Sequence, residues 1–199
     1  VYRIGHSLFR RIAKGFFHYD VKGREHLIEH GGCLIAGNHV SFMDPPLIGI
    51  AFDNAVYYLA RKSLFRSFGA WIYPRWNSIP VDQDNPEVKT IKTIIRLLKQ
   101  GERVVVFPEG QRSWDGELQP GQPGVGLMVS KAKVPVLPVR IFGAHEALPR
   151  GASLFRRATV TLVVGEPMDF SGEEYQGGGS ETYQRISDEI MAAIAALEE

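Results

Sequence analysis

A single cysteine, Cys33, stands among 199 residues. The chain can therefore build neither a disulfide framework nor a cysteine zinc site, and a reducing compartment is the expectation. Net charge is also nearly absent: 23 Lys and Arg offset 22 Asp and Glu to leave +1. No apolar run approaches the roughly 20 residues that cross a bilayer. No secretory signal is visible, although a chain beginning at Val1 leaves room for an upstream segment. No repeat and no linker divides the sequence.

At 44% hydrophobic and 23% charged, the chain reads as one α/β domain with a sizeable core. The charge is unevenly spread. Arg3, Arg10, Arg11, Lys14, Lys22 and Arg24 make the first part basic, whereas Arg185 is the only basic residue from Glu166 onward. One end thus prefers an anionic surface. Within that basic end, Tyr2 to Tyr19 reads as an amphipathic helix, with Ile4, Leu8, Ile12 and Phe16 on one stripe, Phe9 beside them and basic residues on the opposite arc. Two readings stand: a surface helix packed on the core, or a helix lying in a membrane interface.

Periodicity gives the rest of the architecture. Short apolar runs at Cys33–Ala36, Ala55–Ala60, Ser78–Val81 and Arg103–Phe107 read as strands, with an edge strand after Val21 and a last strand within Ala158–Gly165. Pro135 and Pro138 mark Val134–Ile141 as an edge or irregular strand. One helix starts near Asp84, Asn85 and Pro86, buries Val88, Ile91, Ile94, Ile95 and Leu98, and stops at Gly101. A short helix covers Val125–Ala132, and a final one carries Tyr183, Ile186, Ile190, Ile194 and Leu197 on one stripe. Trp71, Tyr73 and Trp76 form an aromatic cluster whose default place is the core. The expected fold is α/β: a single domain, residues 1–199, with a mostly parallel or mixed sheet covered by helices. Its parts are the amphipathic helix (1–20), a motif-bearing core (21–151), and a final strand and helix (152–199).

Two stretches carry chemistry. In Asn38-His39-Val40-Ser41-Phe42-Met43-Asp44, His39 ends a strand and Asp44 sits at a helix start. A turn between them brings imidazole and carboxylate within hydrogen-bond reach, which makes a general base with a fixed tautomer. The bland alternative is a polar turn with a capping aspartate. The second stretch, Phe107-Pro108-Glu109-Gly110-Gln111-Arg112-Ser113, follows the central strand. Ligand sites in open α/β sheets gather at the carboxyl ends of strands, so both stretches can share one rim. Arg112 offers a planar fork for phosphate or carboxylate. Glu109 either orients a hydroxyl or holds Arg112, and the bland alternative is an exposed turn with a local ion pair.

Together these stretches resemble the glycerolipid acyltransferase family of the PlsC type, which includes 1-acylglycerol-3-phosphate acyltransferases. Asn38–Asp44 is similar to its histidine–four-residues–aspartate block, Phe107–Ser113 to its phenylalanine-proline-glutamate-glycine block, and Val134–Val139 to its last block. Val21–Glu25 and Ala60–Phe65 also fit. Two positions depart from the pattern: glutamine at 83 where the family has arginine, and Gln111 where it has threonine.

The resemblance implies transfer of a fatty acyl group from acyl-CoA or acyl carrier protein to a lysophospholipid hydroxyl, with 1-acylglycerol-3-phosphate giving phosphatidic acid. His39 and Asp44 would be catalytic. Glu109, Gly110, Arg112, Ser113, Arg61 and Lys62 would bind substrate, with backbone amides near Gly110 serving the oxyanion. The thioester is a co-substrate and no further cofactor or metal is expected. The expected partners are the two substrates and an anionic membrane surface, with no nucleic acid, at the cytoplasmic face of the cell membrane as a peripheral or monotopic protein. Because Gln83 carries no charge, a different acceptor such as lyso-ornithine lipid or a glycolipid is an alternative, as is a non-catalytic membrane-binding module. Other rivals are weaker. Ser41 lies between Val40 and Phe42 without a glycine-flanked elbow, a His39–Asp44–His145 metal site has scattered ligands, and a thioesterase would release thiol without an acceptor.

Overall fold

The computed structural model describes residues 2–65, 77–81, 88–152, 154–175 and 177–199. The aromatic cluster at Trp71, Tyr73 and Trp76, the expected helix start at Asp84–Pro86, and Gln83 lie outside them. The elements run α1 (Tyr2–Phe16), β1 (Asp20–Lys22), β2 (Cys33–Gly37), α2 (Asp44–Gly49), β3 (Tyr57–Arg61) and β4 (Ser78–Val81). There follow α3 (Val88–Lys99), β5 (Arg103–Val106), α4 (Pro123–Ala132), β6 (Val136–Phe142), α5 (Ala144–Ala147), β7 (Thr161–Val164) and α6 (Ser180–Ala195). Lys62–Phe65 forms a single 3-10 turn after β3.

The strands form one seven-stranded mixed sheet in the order β1-β7-β6-β2-β5-β3-β4. Every pair is parallel except β6 with β7. Strands at the centre read as unbroken apolar runs because both faces are covered: all five residues of β2 and all four of β5 are buried. Alternate residues feed two cores. Cys33, Ile35 and Val105 pack with Ala13 and Phe17 at the α1 end, Leu47 and Ile48 of α2, and Ala144 of α5. Leu34, Ala36, Val104 and Val106 pack with Ile94 and Leu98 of α3, Val125 and Val129 of α4, and Ile186, Ile190 and Ile194 of α6. Gly126 allows α4 to lie against α6, since a Cβ there would stand 2.0 Å from the Tyr183 carbonyl oxygen.

Two local expectations are corrected. Pro138 does not mark an edge: β6 is interior, between β2 and β7. Its carbonyl accepts from the Gly165 amide at 2.9 Å, just beyond the end of β7. The missing proline N–H thus falls at the last rung of the β6–β7 ladder, where the reciprocal bond is dispensable. Val88, assigned to the buried face of α3, is 66% exposed, because it occupies the first turn and the buried positions are Thr90, Ile94 and Leu98. In α1 the inward residues are Ala13 and the partly buried Phe9, with Phe17 just beyond the helix, while the stripe residues Leu8, Ile12 and Phe16 face out, at 57, 49 and 36% exposure. Arg10, from the basic arc, fastens the helix to the domain through Asp53 at 2.9 Å.

Candidate active site

β2 and β5 are parallel neighbours with Ala36 opposite Val106, so the residues after each strand leave the sheet side by side. This register joins the two stretches: the His39 amide donates to Glu109 Oε1 at 2.9 Å, and the Ser113 amide donates to the His39 carbonyl at 2.8 Å. On the other flank Asn38 extends the ladder toward β6 with its side chain. Its Nδ2 donates to the Ile141 carbonyl at 3.1 Å and its Oδ1 accepts from the Ile141 amide at 2.7 Å.

Beyond the strand the chain turns into α2, with Asp44 as its first residue and Pro45 and Pro46 in the first turn. Asp44 is fully buried. Its Oδ2 meets His39 Nδ1 at 2.8 Å and accepts the Val40 and Ser41 amides at 2.7 Å each. Its Oδ1 is buried without a hydrogen-bond partner among the described residues. With Nδ1 held by the carboxylate, Nε2 is the ring nitrogen open to a substrate proton. The Phe107 ring stacks on the imidazole, centroids 3.9 Å apart and planes 14° apart, which fixes the ring plane. Tyr19 donates to the Leu47 carbonyl at 2.7 Å, tying the chain after α1 to the helix that carries Asp44.

Glu109 is a clamp. Its second oxygen accepts the Gln119 amide at 3.2 Å, so the carboxylate joins the His39 turn to the loop after β5 and does not pair with Arg112. Burial pushes its carboxyl up to about 7, against the pull of the two amides and with a smaller push from Asp44. Gly110 has φ 75 and its amide donates back to the Phe107 carbonyl at 3.0 Å, so that N–H is occupied. The Ser113 hydroxyl is likewise turned into its own loop, donating to Asp115 at 2.7 Å.

Arg112 is half-buried. Among the described residues no carboxylate lies within ion-pair distance of it. Desolvation, then the nearby Arg150, then Arg61, lower its pKa, with Asp44 opposing. Arg61 ends β3 on the same rim of the sheet, and Lys62 follows it, exposed. Arg150 and Trp114 were not among the residues read from sequence. Arg150 Nη1 donates to the Arg112 carbonyl at 2.6 Å, and its guanidinium lies 3.8 Å over the Trp114 ring centroid. No local pattern announces this, because Arg150 follows α5 and meets Arg112 only through the fold. His145 sits elsewhere, packed on Gly116. Among the described residues, no three His, Cys, Asp or Glu side chains are grouped to hold a metal ion.

A carboxylate-held imidazole beside an arginine loop, at the carboxyl ends of parallel strands, is an arrangement suited to general-base chemistry on an anionic substrate. The acyltransferase family model matches residues 18–142. The chain is 32% identical over 152 residues to the 1-acyl-sn-glycerol-3-phosphate acyltransferase of Bacillus subtilis, covering 74% of this chain and 72% of that one. It is 27% identical over 158 residues to the chloroplastic 1-acyl-sn-glycerol-3-phosphate acyltransferase BAT2 of Brassica napus, covering 77% of this chain and 46% of that longer protein. The crystal structure of the 1-acyl-sn-glycerophosphate acyltransferase PlsC from Thermotoga maritima superposes with a TM-score of 0.76 at 28% identity, covering 99% of this chain and 81% of that one. The chain belongs to the acyltransferase family and is an acyltransferase of the PlsC type.

Proposed function

We propose that the protein moves a fatty acyl group from an acyl-CoA or acyl carrier protein thioester to the free hydroxyl of a lysophospholipid, 1-acylglycerol-3-phosphate first among them. His39 Nε2 takes the hydroxyl proton as that oxygen attacks the thioester carbonyl carbon. Asp44 holds the ring and stabilises the imidazolium. The tetrahedral intermediate collapses to the new ester, and the departing thiolate takes the proton back from His39. With the Gly110 amide occupied, the next amides of the loop, Gln111 and Arg112, are the donors available to the oxyanion. A thioester is already activated, so a base and positioning suffice. The observation that carries this reading is the bond from Ser113 to the His39 carbonyl, which keeps the Arg112 loop on the imidazole's side of the sheet.

Arg112 grips the acceptor phosphate, helped by Arg150 at its side and by Arg61. Gln83 supports a second acceptor class, a lysolipid lacking a phosphomonoester, because an uncharged amide forms weaker bonds to phosphate than a cation does. The outward stripe of α1 supports attachment to an anionic membrane surface, apolar side down. No helix among the described residues is long and apolar enough to cross a membrane; the attachment proposed is interfacial, at the cytoplasmic face, and rests on the α1 stripe.

Thiol release from acyl-CoA with a panel of lysolipids tests the reading. Release should require an acceptor, favour 1-acylglycerol-3-phosphate and fall by about 10²–10⁴ in His39→Ala. Acceptor-independent release would make the protein a thioesterase, and preference for an acceptor without phosphate, reversed by Gln83→Arg, would select the second class.

A further inference from the structure

The exposed apolar surface extends beyond α1. Val88 apart, the large apolar side chains left exposed among the described residues fall in three places: the α1 stripe, Leu154 and Phe155 between α5 and β7, and Phe42 and Trp114 in the two site loops. Leu154 is 80% exposed and Phe155 53%. Arg156 and Arg157 follow, and no acidic residue occurs between Glu146 and Glu166. An exposed apolar patch with a basic border is an interaction surface.

This stretch is held in place. The Arg156 amide donates to the Ala147 carbonyl at 2.9 Å. It adjoins the end of the α1 stripe: the Arg157 guanidinium lies 6.0 Å from the centroid of Phe16, the last stripe residue, and Phe155 is seated edge-on against the buried Phe17 ring at 6.2 Å. The chain just before it reaches the site. The Ser41 hydroxyl, inside the His39–Asp44 turn, donates to the Leu148 carbonyl at 2.8 Å, and Arg150 joins Arg112 and Trp114. One connection between α5 and β7 therefore links the amphipathic helix, the general base and the anion loop.

We propose that residues 154–157 are a second membrane-docking element. Together with α1 they seat the mouth of the His39 site on an anionic bilayer, so that the acceptor enters from the lipid phase. Leu154 and Phe155 enter the acyl boundary, and Arg156 and Arg157 take anionic head groups. The occupant is lipid because the apolar pair carries only cations beside it and runs on from the stripe proposed above to lie in the bilayer. The inference rests on that membrane reading and adds a determinant to it.

Co-sedimentation of the full chain with vesicles of phosphatidylcholine, with and without phosphatidylglycerol, tests it. Leu154→Ser with Phe155→Ser should weaken binding to both vesicle types by about tenfold or more, and Arg156→Gln with Arg157→Gln should weaken only the anionic vesicles. Turnover of a vesicle-borne acceptor should fall in step with binding, while turnover of a short-chain acceptor below its micelle concentration stays unchanged. If the serine pair binds vesicles like wild type while Leu8→Ser with Ile12→Ser dissociates, this element is wrong and the α1 reading stands. If wild type binds neither vesicle, both fall. If the serine pair instead converts a dimer to a monomer with vesicle binding intact, the surface belongs to a second copy and the proposal is overturned.

Discussion

Replacing Asp44 by asparagine separates two jobs that the carboxylate does for His39. All three bonds at Asp44 converge on one oxygen, Oδ2. The Val40 and Ser41 amides demand an acceptor there, so the asparagine oxygen takes that position and the imidazole keeps its Nδ1–H donor, its orientation and its tautomer. What disappears is the negative charge beside the forming imidazolium. At an effective dielectric of about 20, unit charges about 4 Å apart attract by about 4 kcal/mol. A bond to the neutral amide oxygen retains about 1 kcal/mol of this. The net loss of about 3 kcal/mol corresponds to about a hundredfold in kcat. The Val40 and Ser41 amides exchange a charged acceptor for a neutral one, so stability drops by about 1–3 kcal/mol and Tm by several degrees. Thiol release at saturating acyl-CoA and acceptor reads kcat, and thermal melting reads the fold. A variant with wild-type kcat would refute the charge role. A variant as inactive as His39→Ala with an unchanged melting curve would mean that the amides do not pin the oxygen.

Other predictions follow from the neighbouring groups. Glu109 titrates at about 7 in the folded protein against an ordinary 4.5, so the fold holds a proton there that the unfolded chain has released. That contribution to stability is complete below pH 4.5 and is lost as pH rises through about 7. Glu109→Gln should flatten the fall in Tm across this range while lowering Tm overall, since one of the two amides loses its acceptor; parallel melting profiles for the two proteins would sink the assignment. Arg112→Lys keeps the charge but loses the planar fork, so KM for a phosphate-bearing acceptor should rise about tenfold with kcat little changed; a fall in kcat alone would move Arg112 from acceptor binding to the chemistry. Cys33 is buried and its thiol is pushed up to about 12 by that burial, so the native protein should not react with a thiol reagent during the release assay, and rapid modification would contradict the β2 packing.

Local pattern carried the pairing of His39 with Asp44. A strand run, a histidine, an aspartate and two prolines within the fourteen residues Cys33–Pro46 describe β2, its turn and the start of α2 without reference to anything distant. The site as a whole was less legible, because its assembly depends on pairings with no local signature. His39 meets Glu109 across 70 positions, through a register that only the folded sheet sets. Glu109 therefore read as orienting a hydroxyl or holding Arg112, when its oxygens accept the His39 and Gln119 amides, and the bond from the Ser113 hydroxyl into its own loop had no signal in the sequence. Arg150 went unnoticed for the same reason. Pro138 was read as marking an edge or irregular strand because the propensity rule is blind to where a neighbouring strand stops. In α1 the every-fourth-residue stripe was real, but periodicity reports that a face is apolar and not what covers it. Here Ala13 and Phe17 take the core, and the stripe is left outward.

The most direct test is the product itself. Purified protein supplied with acyl-CoA and 1-acylglycerol-3-phosphate in anionic vesicles should form phosphatidic acid, detected by mass spectrometry, with the His39→Ala rate lower by about 10²–10⁴. Formation of phosphatidic acid by His39→Ala at the wild-type rate would contradict the account, as would free fatty acid from the wild-type protein in place of the ester.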